Sequence, residues 1–98
     1  MSSEAKKRPG KNGLGENRLE DLPNIGPVLA DRLRRAGIMT PAQFAALGDT
    51  AAFARLVATY PEEACTHTRL ALAGAARGVR WHSLAPELRR ELTKGLSR

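Results

Sequence analysis

The sequence predicts an all-α protein, a compact bundle of five or six short helices, and three observations carry that expectation. Apolar residues recur at three- and four-residue steps in successive short segments, which is the period of one helical face. Proline and glycine separate those segments at positions that open and close helices. Aromatic residues make up only 4% of the chain, so the core has to be built from Leu, Val, Ile and many alanines, which suits closely packed helices. With 98 residues there is material for one modest core and no second one.

Residues 1–15 contain few apolar side chains, three glycines (Gly10, Gly13, Gly15) and the cations Lys6, Lys7, Arg8 and Lys11 against the single acid Glu4. This composition predicts a disordered basic tail, with the helical domain over 16–98. The first helix is expected over 16–21, with Leu19 and Leu22 on one face. Pro23 pushes Leu22 towards an extended conformation and so closes that helix. Asn24 and Gly26 are residue types that accept positive φ in a tight turn, and Pro27 is pre-set for the first position of the next helix. Leu29, Leu33 and Ala36 then fall at i, i+4 and i+7 as a core-facing stripe, which Gly37 ends. Arg32, Arg34 and Arg35 sit in the last turns, where they complement the helix dipole. Arg32 and Arg35 lie three apart and form one basic edge.

Thr40 and Pro41 read as an N-cap followed by a first-turn proline, opening a short helix with Phe44 and Leu47 that Gly48 closes. Asp49 is expected to cap the following helix, in which Phe53, Leu56, Val57 and Tyr60 make a core stripe. Pro61 marks a boundary at Tyr60. Thr59 and Glu62 have capping-box spacing, but residues 65–68 include poor helix formers, so the next helix is clear only from Arg69. There Leu72, Ala75, Ala76 and Val79 make an apolar face, while Ala71, Gly74, Ala75 and Gly78 make a small-residue face that another backbone could approach. Trp81 suits an anchor that caps the bundle. Ser83 to Pro86 opens the last helix, with Leu84, Leu88 and Leu92 inward and Arg89, Arg90, Lys94 and Arg98 as a second basic patch.

The net charge of +6 and the pI near 10.5 favour an anionic partner such as nucleic acid; the alternative is a basic surface that only keeps the domain soluble, and charge alone does not separate the two. The hairpin offers a place for it. The turn ends on a helix N-terminus whose first amides lack partners, and small residues let a bulky anion approach. In that reading the amides around Asn24, Ile25, Gly26 and Val28 receive a backbone phosphate of double-stranded DNA, while Arg32, Arg35 and the tail residues Lys6, Lys7, Arg8 and Lys11 supply charge. The stretch LPNIGPVLA followed by Leu33 resembles the helix-hairpin-helix motif of non-specific DNA-binding proteins, written LPGIGPxxA. Asn24 stands where that motif prefers glycine, and Val28 stands where many such hairpins carry lysine. The plain alternative is a hairpin whose turn residues serve only the turn. No second hairpin is visible, since Ala46-Leu47-Gly48-Asp49 lacks the bracketing prolines.

Enzymatic constellations are missing from the sequence. Cys65 is the only cysteine, which leaves no intramolecular disulfide. Cys65, His67 and His82 are expected as a buried thiol and two surface histidines, and they fall short of a zinc ligand set. The hairpin lacks the lysine and glycine spacing of a phosphate-binding Walker loop, and the chain has no room for a flipped-base pocket. Neither cofactor nor metal is expected. With no signal-peptide or membrane-spanning stretch, the default location is the cytoplasm.

A longer pattern is more specific than the hairpin alone. LPNIGPVLADRLRRAGIMTPAQFAALG, then an AFARL helix, then LALAGAARGVRWHSLAPELRREL resembles the C-terminal domain of the TfoX/Sxy family of bacterial competence regulators, from about Leu19 to Leu92. The resemblance implies an all-helical fold of the helix-hairpin-helix (SAM-like) kind and a role in regulating gene expression for DNA uptake. The family usually carries this domain behind a separate N-terminal domain, whose place a basic tail takes here, as in stand-alone versions. Many members have Tyr and Glu where this chain has Ala71 and Ala73, so a family contact through that helix does not carry over. Two functions remain open from the sequence. One is a non-enzymatic accessory domain that binds nucleic acid without sequence specificity or regulates transcription. The other is an adaptor that binds a transcription factor or a second copy of itself and never touches DNA.

Overall fold

The computed structural model describes residues 18–96. It contains five α-helices, α1 (Pro27–Arg35), α2 (Pro41–Leu47), α3 (Asp49–Thr59), α4 (Thr66–Arg77) and α5 (Pro86–Leu92), with 3-10 turns at Leu19–Asp21, Pro61–Glu63 and Trp81–Ser83. No strand occurs among the described residues, in keeping with the all-α expectation.

The central element is α4. Every residue from Thr68 to Ala75 is buried, the condition of a helix packed on all sides. Leu72 and Ala75 join the main core with Leu19, Ile25, Leu33, Ile38, Phe44 and Leu56. Leu70 and Ala73 face a second cluster with Leu84, closed by Val79, Trp81, Leu88 and Leu92. Ala71 and Ala73 are both enclosed, so this helix has no outer face at those positions on which a partner could dock.

Several boundaries follow the sequence signals. Thr40 Oγ1 accepts from the Gln43 amide at 3.1 Å, Pro41 opens α2, and Gly37 takes the positive φ of 93° that stops α1. Others differ for identifiable reasons. The expected helix over 16–21 is a single 3-10 turn from Leu19 within the described residues. Gly26 is extended (φ −88°) rather than left-handed, because it serves as the N-cap of α1. Asp49 is already helical, with Gly48 as N-cap, which frees its carboxylate to pair with Arg69 (2.8 Å) and Arg77 (3.7 Å). The Thr59 hydroxyl donates to the Arg55 carbonyl at 3.3 Å instead of forming a capping box. In α3 the fully buried residues are Ala52 and Leu56, while Phe53, Val57 and Tyr60 are only partly covered. Gly78 closes α4 in the left-handed region, leaving Val79 beyond its end. The last helix starts at Pro86 and stops at Leu92.

Polar ties hold the periphery. Glu63 Oε2 accepts from Arg32 at 2.8 Å and Glu63 Oε1 from the buried Thr68 hydroxyl at 2.6 Å, linking the Pro61–Glu63 turn to α1 and α4. Glu20 accepts from Arg34 across the entry to α1. That hydrogen bond, with help from the backbone of Glu20 and the charges of Arg34 and Arg18, holds the Glu20 carboxyl below its ordinary value of 4.5. Its contribution to stability is therefore complete above the unfolded-state value and is lost as pH falls through the lower folded-state value. The pair is partly solvated, so the effect is small. Thermal melts of E20Q and the parent chain are expected to differ at neutral pH and to converge below pH 4.5, and a constant offset across that range would refute the assignment.

Candidate nucleic-acid interface

The hairpin begins where Leu22 turns extended (φ −79°, ψ 146°) ahead of Pro23. Asn24 then takes φ 70°, a left-handed conformation that asparagine tolerates better than most side chains. This reversal turns its side chain inward. Asn24 Nδ2 donates to the carbonyls of Val79 (2.9 Å) and Ala71 (3.3 Å), and its Oδ1 accepts from the Trp81 amide at 3.1 Å. The carboxamide thus clips the hairpin onto α4 and the segment that follows it. Gly74 is the matching vacancy: a Cβ there would lie 2.5 Å from Asn24 Nδ2, 2.7 Å from the Val79 carbonyl oxygen and 3.2 Å from the Trp81 Cα. The close backbone approach expected at the small-residue face is made here.

The nominated hairpin residues separate into two groups. The Asn24 side chain is engaged, though its amide meets no acceptor among the described residues, and Ile25 is a core residue, 4% exposed, whose amide donates to the Leu22 carbonyl at 3.3 Å. Gly26 and Val28 remain available. Gly26 caps α1 without a side-chain hydrogen bond, and no acceptor among the described residues meets the amides of Gly26, Val28 and Leu29. Leu29 was absent from the sequence-derived set and follows from the same end-of-helix rule. These amides border an open concavity of about 380 Å³ lined by Asn24, Gly26, Pro27, Val28, Leu29, Glu63, His67 and Thr68. Its one carboxylate, Glu63, opposes an anion at close range.

The two nominated cations of α1 are committed elsewhere. Arg32 reaches Glu63 (2.8 Å) and Glu62 (3.5 Å) and lies 4.8 Å above the Tyr60 ring. Arg35 pairs with Asp31 at 2.8 Å on the exposed side of α1, and that hydrogen bond raises the Arg35 guanidinium above its usual value. Lys6, Lys7, Arg8 and Lys11 lie outside the described residues. Arginines without an acid partner do occur, at Arg55, Arg80, Arg89 and Arg90, among the described residues. Sequence signals reveal the basic patch of Arg89 and Arg90 but not that its guanidinium groups are unpaired.

His67 meets Trp81 edge-on at 6.1 Å and His82 stacks on it at 4.0 Å, so the two histidines share one aromatic neighbour. Cys65 is half-buried rather than fully enclosed, with its sulfur 3.3 Å from the Thr68 hydroxyl. Among the described residues no cluster of three or more His, Cys, Asp or Glu is placed to hold a metal ion. No helix there is long and apolar enough to cross a membrane.

Fold and surface together define a small all-helical domain, closed around a buried alanine-rich helix and entered through the turn over 22–26. The chain belongs to the TfoX C-terminal domain family, whose profile matches residues 15–96. It is similar to an uncharacterized protein from Listeria monocytogenes, seen in a triclinic crystal form, at 37% identity and a TM-score of 0.73, covering 82% of this chain and 97% of that one. A Listeria monocytogenes protein of unknown function in a tetragonal form matches at 40% identity and a TM-score of 0.72, over 79% of this chain and 93% of that one. No curated protein matches the chain.

Proposed function

We propose that this chain is a non-enzymatic accessory domain of bacterial gene regulation that binds nucleic acid through backbone phosphates without reading bases. The observation that carries the reading is the bare start of α1, where Gly26 is an N-cap with no side chain and the amides of Gly26 and Val28 meet no acceptor among the described residues. The net charge of +6 supports an anionic partner, and membership of the TfoX C-terminal domain family supports regulation of genes for DNA uptake, in the cytoplasm. A second reading, a protein-binding adaptor, is favoured by Val28. This side chain is 69% exposed beside a concavity that holds Glu63, a combination better matched to an apolar group with a donor than to a phosphate.

Fluorescence anisotropy of a short labelled duplex, titrated at several salt concentrations, separates the two readings. A chain lacking residues 1–15 is expected to bind, with affinity falling as salt rises, because phosphate contacts release counterions. Loss of all binding with the tail would hand the folded surface to the adaptor reading.

A further inference from the structure

We propose that the groove between α4 and α5, flanked by Arg89 and Arg90, is the main phosphate seat of the folded domain. This deepens the nucleic-acid reading above and rests on it. The ion pairs sort the cations into engaged and free. Glu20 engages Arg18 and Arg34, Glu63 engages Arg32, Asp31 engages Arg35, Asp49 engages Arg69 and Arg77, and Glu91 engages Lys94. At a phosphate, each of these must share its charge with a neighbouring carboxylate that repels the anion, or give that partner up. A free guanidinium carries no such cost, and its planar fork matches two phosphate oxygens at once.

Of the four arginines without an acid partner among the described residues, two line one groove. Thr66 and Leu70 of α4 form one wall, and Pro86, Arg89, Arg90 and Thr93 form the other, around an open volume of about 330 Å³. No acid lines it. Glu87 and Glu91, four apart on α5, fall on a different side of that helix, and Glu91 is turned to Lys94 at 3.6 Å. The hairpin concavity differs on this point, since Glu63 lines it. The Thr66 hydroxyl has no protein partner among the described residues and adds a donor at the same wall. Cations in the last turn of α5 also suit its dipole. That effect explains their position along the helix, but not a groove that brings two of them together with no carboxylate.

The test uses the full chain and the labelled duplex over a salt series. For R89Q/R90Q the slope of log affinity against log salt is expected to shrink by about two units, since each phosphate contact contributes close to one. R89K/R90K, which keeps both charges, is expected to retain the slope. R55Q removes an unpaired arginine that lines a different concavity, with Gly37 and Ile38, and is expected to leave the slope unchanged. Thermal melts check the fold of each variant, and R90Q alone, at an exposed position, reads one unit if the double variant is unstable. An unaltered slope in R89Q/R90Q, with a parent chain that binds, overturns the groove and leaves the general reading intact. A parent chain that binds no duplex overturns both, including the case in which R89Q/R90Q instead abolishes capture of an acidic peptide.

Discussion

Asn24→Ala is expected to destabilise the domain by about 2–4 kcal/mol, since it removes a clip whose hydrogen bonds contribute about 1 kcal/mol each and strands polar partners in a partly buried site. The groups left behind are the carbonyls of Ala71 and Val79 and the amide of Trp81. Asn24→Asp is expected to be worse. Its carboxylate still accepts from Trp81, but it turns an oxygen towards two carbonyls where the carboxamide had donated. Asn24→Gly relieves the φ of 70° without restoring the clip, so it falls between the parent and the alanine variant. Gly74→Ala tests the same contact from the other side. In an ordinary helix interior this change gains about 1 kcal/mol. Here the new Cβ meets the Val79 carbonyl at 2.7 Å, and overpacking of that kind costs about 1–3 kcal/mol, so the sign reverses. Thermal and urea melts decide the matter, with a midpoint drop on the order of 10 °C for Asn24→Ala in a domain of this size. An Asn24→Gly variant as stable as the parent would reduce Asn24 to a turn residue.

The same residue shows where sequence reading stops. Local signals were legible because their physics is local: Pro27, Thr40 with Pro41, and Gly37 act within a few residues of themselves. Asn24 was legible as a turn residue for the same reason. Its other role depends on carbonyls 47 and 55 positions away, and nothing in a turn signature distinguishes a side chain that faces solvent from one that reaches across the fold. Gly74 was readable as a site of close approach, though not what approaches it. Charge raises the same difficulty in a sharper form. Arg32 and Arg35 stand on the correct helix for a hairpin phosphate site, yet Glu63 and Asp31 engage them. Arg89 and Arg90 were visible as a patch, and only the packing of α5 shows that no acid reaches them. A sequence records the sign of each charge, whereas availability to a partner is decided by tertiary pairing.

Pairing also sets the largest single-site effect expected in the interior. Arg69 is almost fully buried, with its side chain 7% exposed, and Asp49 is 16% exposed. Arg69 donates to Asp49 Oδ2 at 2.8 Å and to the Thr50 hydroxyl at 2.9 Å, with its guanidinium 5.5 Å from the Phe53 ring centre. These contacts tie the first turn of α3 to α4. Asp49→Ala leaves that guanidinium buried with one hydroxyl and an aromatic face, and is expected to cost about 3–5 kcal/mol, the usual penalty for removing one member of a buried pair. Arg69→Met removes the charge that needed compensation while keeping much of its volume, so it is expected to cost less than Asp49→Ala. In the double variant the two losses are expected to be far from additive, because once the guanidinium is gone the aspartate has little left to neutralise beyond Arg77 at 3.7 Å. A double-mutant cycle by urea denaturation measures that coupling. Additive losses would mean that Asp49 acts through the first turn of α3 alone, and that burial of Arg69 is sustained by Thr50 and Phe53 rather than by charge.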